Sequence, residues 1–283
     1  WFLWWANGKI ERVDVLSGAA DTPGTTYLIV GSDSREGWGW DGTEGARTDT
    51  IILIHEPESG PTAMISIPRD SYVSIPGYSD NKINASFAFG GPPLLIETVE
   101  GVTGLTIDHY LEIGFQGVSG IVDALGGVEL CYGSDVDDEL SGMVWEAGCH
   151  ITGGDDALAF ARMRYSDPTG DIGRTARQQQ LVSAVSDAAL SRDTLLNPFA
   201  VGRLVNAGLE AVVVDEDMNI LGLGKAALVF HSAQGDQAVT GTPPLSSINY
   251  SVSGVGSTVL LDPEQSDAFW VAVRDGTFEP GTE

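Results

Sequence analysis

The sequence predicts an α/β or α+β fold in which helices flank a central, mostly antiparallel or mixed β-sheet, and three observations carry this expectation. Apolar, β-branched runs occupy the first half of the chain at Thr25 to Ser32, Asp49 to Glu56 and Pro61 to Ile67, the last stopped by Pro68. Helix-period segments and further short apolar runs then alternate. With 283 residues and 42% apolar content, the chain can bury a substantial core.

Taken in order, the three runs are strands, and neighbouring runs are expected to pair antiparallel, as short connections favour. The end of the first, the start of the second and the end of the third then share one edge of the sheet. Asp33, Arg35, Arg47, Asp49, Arg69 and Asp70 occupy those places. Apolar periodicity next predicts helices over Ile83 to Phe89, Pro93 to Val102, Phe115 to Leu125, Asp155 to Ala161 and Ile172 to Leu190, with strands near Ile107 to Ile113 and Val128 to Cys131. Helices over Ala200 to Val214 and Met218 to Ser232 follow, then β-rich pieces at Gln237 to Gly241 and Ser257 to Leu261, and a closing helix from Pro263 to Arg274. Thr240 to Ser247, rich in Gly, Thr, Pro and Ser, reads as a turn or loop.

Charge narrows the function. The formal net charge is -26 with only three lysines, Lys9, Lys82 and Lys225, which disfavours general attraction to nucleic acid or anionic lipid. Such acidity suits either a high-salt habitat or solubility alone. Yet eight of the fourteen basic residues, Arg35, Arg47, Arg69, Lys82, Arg162, Arg164, Arg174 and Arg177, fall in four short Gly/Pro/Asp-punctuated motifs. Arginine forks suit bidentate phosphate contacts, and the densest motif, Arg162 to Gln179, runs into a predicted helix start that adds backbone donors. The expected guest is a phosphate or pyrophosphate. On the helix opened by Asp171, the spacing puts Arg174, Arg177, Gln178 and Leu181 near one face.

Asp33 and Asp49 are hard oxygen ligands that could form half of a Mg2+ site completed by substrate oxygens; a turn cap or an Arg47 pair is the plainer reading of Asp49. Walker, His-Glu-x-x-His and Gly-x-Ser-x-Gly motifs are absent. His55 and His109 read as satisfied strand residues. Cys131 and Cys149 have no zinc-like neighbours and are expected to form a disulfide in an oxidising compartment, the alternative being two free thiols. The start, Trp1-Phe2-Leu3-Trp4-Trp5, suits either a juxtamembrane segment over 1–24 after a removed transmembrane anchor or a core-packed aromatic cluster.

These residues resemble the LytR-CpsA-Psr family. The resemblance runs from about Val13 to Val185 and rests on Gly31-Ser-Asp33-Ser-Arg35, Arg47-Thr-Asp49-Thr, Ser66-Ile-Pro-Arg69-Asp70, Lys82-Ile-Asn84, Gly90-Gly-Pro, Thr98-Val-Glu, Ile107-Asp-His-Tyr, Gly126-Gly-Val and the long arginine motif, in the family's order. It implies an actinobacterial-type, membrane-anchored extracytoplasmic phosphotransferase that moves a glycopolymer, such as arabinogalactan or teichoic acid, from a polyprenyl-pyrophosphate to peptidoglycan with Mg2+. It also implies a catalytic domain over 25–283, with core motifs in 27–185 and an extension over 190–283, and a hydrophobic tunnel for the lipid. Carried over by position, Asp33 and Asp49 hold the metal, and Arg35, Arg47, Arg69, Lys82, Arg162, Arg164, Arg174, Arg177 and Gln178 line the pyrophosphate site. Asp33 or Asp70 is the candidate base. Phe87, Phe89, Leu94, Leu95, Val118, Ile121 and Val122 are candidates either for the tunnel or for the core. Two further readings stay open: a pyrophosphatase with water as acceptor, and a non-catalytic lipid-carrier binding protein.

Overall fold

The computed structural model describes residues 2–32, 48–163 and 171–282. They divide into two compact units, one built from residues 10–114 and 213 onward, the other from the stretch up to Lys9 and Phe115–Val212.

The chain opens with α1 (Phe2–Lys9) of the second unit. The first unit is organised on a seven-stranded sheet. Its strands are β1 (Glu11–Val13), β2 (Thr25–Ser32), β3 (Thr48–Glu56), β4 (Ala63–Ser66), β7 (His109–Gly114), β12 (Val212–Asp215) and β13 (Val239–Gly241), in the spatial order β1-β12-β7-β2-β3-β4-β13. Antiparallel β2-β3 and β3-β4 pairs sit beside parallel β1-β12, β2-β7 and β4-β13 pairs, so the sheet is mixed, as the sequence predicted. Between β4 and β7 lie the two-residue strands β5 (Tyr72–Val73) and β6 (Asn81–Lys82), then α2 (Ile83–Thr103). Leu28, Val30, Leu53 and Ile65 of the sheet pack in one core with Phe87, Leu95 and Val99 of α2 and with Trp270 and Val273 of α9 (Ser266–Asp275). The two helices read from sequence on either side of Gly90 lie within α2 on the two sides of a kink: Gly90 and Gly91 are not helical, and Gly91 sits at φ 65°, which favours glycine, immediately before Pro92 and Pro93. Residues 10–24, read as juxtamembrane, include β1, which pairs with β12.

Two sequence readings need correction in this region. The helix expected over Ala200 to Val214 stops at Ala211, because Val212-Val213-Val214, all buried, form β12. Three β-branched residues fit a pleated, fully covered position better than a helix continuation. The loop expected through Ser247 ends earlier: β14 (Leu245–Val252) pairs antiparallel with β15 (Gly256–Leu261), and the serine-rich β14 is largely exposed, so apolar patterning does not reveal it. α8 (Ile220–Ser232) precedes β13.

The second unit is mainly helical. It contains α1, α3 (Phe115–Leu125), α4 (Gly154–Arg162), α5 (Asp171–Ala189), α6 (Arg192–Leu195) and α7 (Pro198–Ala211). Gly117 lets α3 approach α7, since a Cβ there would stand 2.7 Å from the Ala211 Cα. Between α3 and α4, β8 (Val128–Tyr132) pairs with β11 (Gly148–Thr152), and β9 (Val136–Asp138) pairs with β10 (Met143–Trp145). A second core joins Val122, Leu130, Trp145, Phe160 and Leu181. Of the candidates offered for tunnel or core, Phe87, Leu95 and Val122 lie in these cores, and Leu94 and Val118 pack against them. No helix among the described residues is long and apolar enough to cross a membrane.

Cys131 and Cys149 are disulfide-bonded and directly opposite each other on β8 and β11. The bond closes a loop of separation 18 around β9 and β10. Replacing both cysteines by serine is expected to cost about 3 kcal/mol, a value typical of a loop this long, read as a lower denaturant midpoint.

His55 is fully buried on β3. Its Nε2 lies 3.1 Å from the Arg274 carbonyl, which can only accept, and its Nδ1 lies 3.0 Å from Thr26 Oγ1. This selects the neutral Nε2–H tautomer, with the threonine hydroxyl donating to Nδ1. Burial pushes the imidazole below its ordinary 6.5, against the Arg274 carbonyl bond that raises it. Below pH 6.5 the unfolded chain therefore takes up a proton that the folded one refuses, so stability falls as pH drops from there toward the folded pKa. The expected slope from this site is at most about 1.4 kcal/mol per pH unit. Urea titrations across that window should lose this component in His55→Gln.

Candidate active site

Among the described residues, strand register brings together the end of β2, the start of β3 and the end of β4. Ser32 pairs with Thr48, whereas Gly31 pairs with Thr50, so Asp49 is the extra residue of a β-bulge. A bulge kinks its strand and re-aims what it carries, and bulges are enriched beside functional sites. Asp33 follows Ser32 directly, so this pairing brings the backbone just before Asp33 against the start of β3. On the other side of β3, the Ile67 N–H donates to Ile51 O at 2.9 Å, and the chain turns through Pro68-Arg69-Asp70. β7 ends at the same place, with Gly114 paired to Ser32.

The turn after β4 is tied to the start of α2. Ile83 and Asn84 N–H groups donate to Ser71 O and Arg69 O at 2.8 and 3.2 Å, and the Val259 N–H of β15 donates to Asp70 O at 2.9 Å. Lys82 occupies the N-cap position of α2. Its Nζ lies 2.8 Å from Asp70 Oδ1, and Arg69 Nε lies 3.5 Å from Asp70 Oδ2. One carboxylate thus holds two half-exposed cations side by side.

The described parts of the long arginine motif, residues 162–163 and 171–179, lie in the helical unit. Arg162 closes α4, is exposed, and donates from Nε to Leu158 O at 3.3 Å. α5 begins at Asp171, so Arg174 stands in its first turn, where helix donors and dipole favour an anion. Leu181 is buried and Gln178 half-buried on the face that the spacing indicated. Arg177, on the same face, is 4% exposed. Its Nε donates to Phe160 O at 3.1 Å, its Nη2 to Met163 O, and its guanidinium lies 5.7 Å from the Tyr132 ring centre. These contacts fasten α5 to the end of α4, so Arg177 also supports the arginine-bearing segment.

Asp33, Arg35, Arg47 and Arg164 lie outside the described residues, as do the side chains of Asp49 and Arg174. The carboxylates that the sequence offered for Mg2+ are Asp33 and Asp49, hard oxygen donors whose chemistry suits that ion, and the bulged pairing sets the Asp49 backbone near Ser32, the residue before Asp33.

Sequence reading passed over a buried acid. Glu112 on β7, 3% exposed, accepts from Tyr110 Oη at 2.9 Å. Burial, then the charge of Glu112, holds the Tyr110 phenol well above its usual range. Burial and Glu112 also raise the Glu11 carboxyl. Glu112 pairs with Val30, two positions from the Ser32–Gly114 end. The available signal was a glutamate inside the apolar run Tyr110 to Ile113.

The model of the LytR_cpsA_psr family matches residues 6–237. The chain belongs to the LytR-CpsA-Psr family. It is 39% identical over 281 residues to the probable cell wall biosynthesis protein LcpB of Corynebacterium glutamicum, covering 95% of this chain and 66% of that protein. It is 40% identical over 180 residues to the polyisoprenyl-teichoic acid–peptidoglycan teichoic acid transferase TagU of Halalkalibacterium halodurans, covering 62% of this chain and 57% of TagU. The chain thus spans less than two thirds of the length of these curated relatives. The fold matches the LytR-Csp2A-Psr enzyme from Actinomyces oris with a TM-score of 0.73 at 23% identity, over 93% of this chain and 95% of that one.

Proposed function

We propose that this family member is a Mg2+-assisted phosphotransferase that attaches a glycopolymer from a polyprenyl-pyrophosphate carrier to a peptidoglycan hydroxyl, on the outer side of the membrane to which it is anchored. The observation that carries the reading is the bulged β2-β3 register, which sets Asp49 beside the approach to Asp33 at the sheet end where β4 runs on toward the Asp70-held pair Arg69 and Lys82. Family membership and the transferase name of TagU support the reaction class. The cross-strand disulfide supports an oxidising compartment.

On this reading Asp33 and Asp49 would hold Mg2+, which when bound neutralises charge on the phosphoryl oxygens. Phosphoryl transfer depends mainly on positioning and charge neutralisation, which arginines and lysine supply without covalent chemistry. On the sheet unit Arg35, Arg47, Arg69 and Lys82 would bind phosphate oxygens; on the helical unit Arg162, Arg164, Arg174 and Gln178 carry that role from the family resemblance. Both Asp70 oxygens face cations, which suits holding them in place, so Asp33 is the preferred base for the acceptor hydroxyl.

The test incubates the protein with a lipid-pyrophosphate-linked oligosaccharide and peptidoglycan fragments, with and without Mg2+, and follows products by mass spectrometry. A Mg2+-dependent phosphodiester adduct, lost in Arg174→Ala, is the expected result. Free phosphorylated glycan without adduct would instead indicate hydrolysis, and bound but unreacted lipid would indicate a carrier.

A further inference from the structure

Two aromatic rings meet on the surface of the sheet unit. Tyr78 and Phe89 are 52% and 40% exposed and stack with ring centres 5.0 Å apart and planes 22° from parallel. Ile75-Pro76-Gly77-Tyr78 has the pattern of a type II turn: Gly77 sits at φ 77°, the Tyr78 N–H donates to Ile75 O at 3.0 Å, and Ile75 is buried in the core. The tyrosine is therefore held out from a fixed point. Pro93 leaves the Phe89 carbonyl without its helical donor, and the Tyr78 hydroxyl reaches that oxygen at 3.5 Å. This contact accounts for the hydroxyl; it does not account for two ring faces left in water.

Tyr78 precedes Lys82 by only four residues, yet it touches Phe89, which lies two turns, about 10 Å, along α2 from Lys82. Ser79, Asp80 and Asn81 thus run back alongside the first turns of α2, and the rings and Lys82 mark the two ends of one strip of surface. Ser79 and Asp80 are exposed. Asn81 is half-buried and engages its Oδ1 with the Lys82 N–H at 2.8 Å, which leaves its amide NH2 to donate elsewhere. The inference rests on the proposed function, in which Lys82 binds a phosphate oxygen. The pyrophosphate of that substrate carries a sugar on one side and a polyprenyl chain on the other, so the strip takes one of these two. A hydrocarbon chain would cover Ser79, Asp80 and Asn81 without offering them hydrogen bonds, which costs their desolvation. A pyranose ring supplies hydroxyls for those side chains and a CH face for the aromatic rings. We propose that the Tyr78–Phe89 pair is a platform for a sugar of the donor glycan, set about 10 Å from the phosphate at Lys82.

The test titrates the intact protein by calorimetry with inorganic phosphate, the 1-phosphate of a β-1,4-linked N-acetylglucosamine disaccharide, farnesyl phosphate and choline phosphate. The sugar phosphate is expected to bind about tenfold more tightly than inorganic phosphate. That gain should vanish in Tyr78→Ala and in Phe89→Leu, which keeps apolar bulk but has no ring, and should persist in Tyr78→Phe, which lacks only the hydroxyl. A tyrosine that merely props the Phe89 carbonyl would lose its effect in Tyr78→Phe as well, and that result counts against the platform. A sugar phosphate no tighter than inorganic phosphate, a gain that survives Tyr78→Ala and Phe89→Leu, or an equal Tyr78-dependent gain from farnesyl or choline phosphate would overturn the proposal. If no phosphate binds, the phosphate site of the proposed function has failed, and the free disaccharide decides the platform by itself. Movement of the Tyr78 ring resonances, assigned by their absence in Tyr78→Phe, then supports it, and no movement up to about 10 mM overturns it.

Discussion

Alanine at Asp49 is expected to lower phosphotransfer by roughly 10²- to 10³-fold while leaving the fold intact. The reason lies in the bulge. Thr48 and Thr50 carry the pairing to β2 on either side, and Asp49 is the residue without a cross-strand partner position. Removing its side chain therefore takes away charge without breaking the register. Asparagine at the same position keeps the shape and loses the charge, so both variants should fall together if charge is what the site needs. The measurement is the rate of adduct formation at saturating lipid substrate, with far-UV circular dichroism and melting temperature as controls. Alanine activity within roughly threefold of the parent would remove Asp49 from the machinery. Restoration by raised Mg2+ in Asn but not in Ala would show that one oxygen ligand is enough to keep the ion.

Alanine at Arg177 is expected to act through stability first, costing about 3–5 kcal/mol. The guanidinium donates to the Phe160 and Met163 carbonyls at the end of α4 and lies over the Tyr132 ring. Deleting it leaves carbonyls unsatisfied in a site where the arginine is 4% exposed, and opens space between α4 and α5. Lysine keeps the charge but has no planar fork to reach both carbonyls, so it should recover only a small part of the loss. Chemical denaturation separates this from a purely substrate-binding role: Arg177→Ala should shift the midpoint strongly, whereas Arg162→Ala, with an exposed side chain, should not. An unshifted midpoint in Arg177→Ala would refute the supporting role.

Much of the fold was legible because its signals are local. β2 and α3 begin and end where β-branched runs and apolar periodicity indicated, and β3, β4 and α5 differ by one or two residues at their ends. Elements without such signals were missed. The short β5, β6, β9 and β10 have only two or three residues each, too few for alternation to register. β11 is exposed along most of its length, so its burial pattern carries little periodicity. At the site, the three-way convergence of the ends of β2 and β4 with the start of β3 followed from antiparallel pairing of neighbouring runs.

The sequence by itself determined the class of the sheet, the clustering of cations in an acidic chain and the family, since each depends on residue type and order, and it favoured the cysteine pairing that the structure shows. Only the tertiary structure decided that Asp49 sits in a bulge, that Asp70 holds Arg69 and Lys82 together, and that Arg177 is buried against α4 while Glu112 is buried within β7. Register, burial and ion pairing arise from contacts between residues distant along the chain. A propensity or a period, summed over a few neighbours, does not contain them.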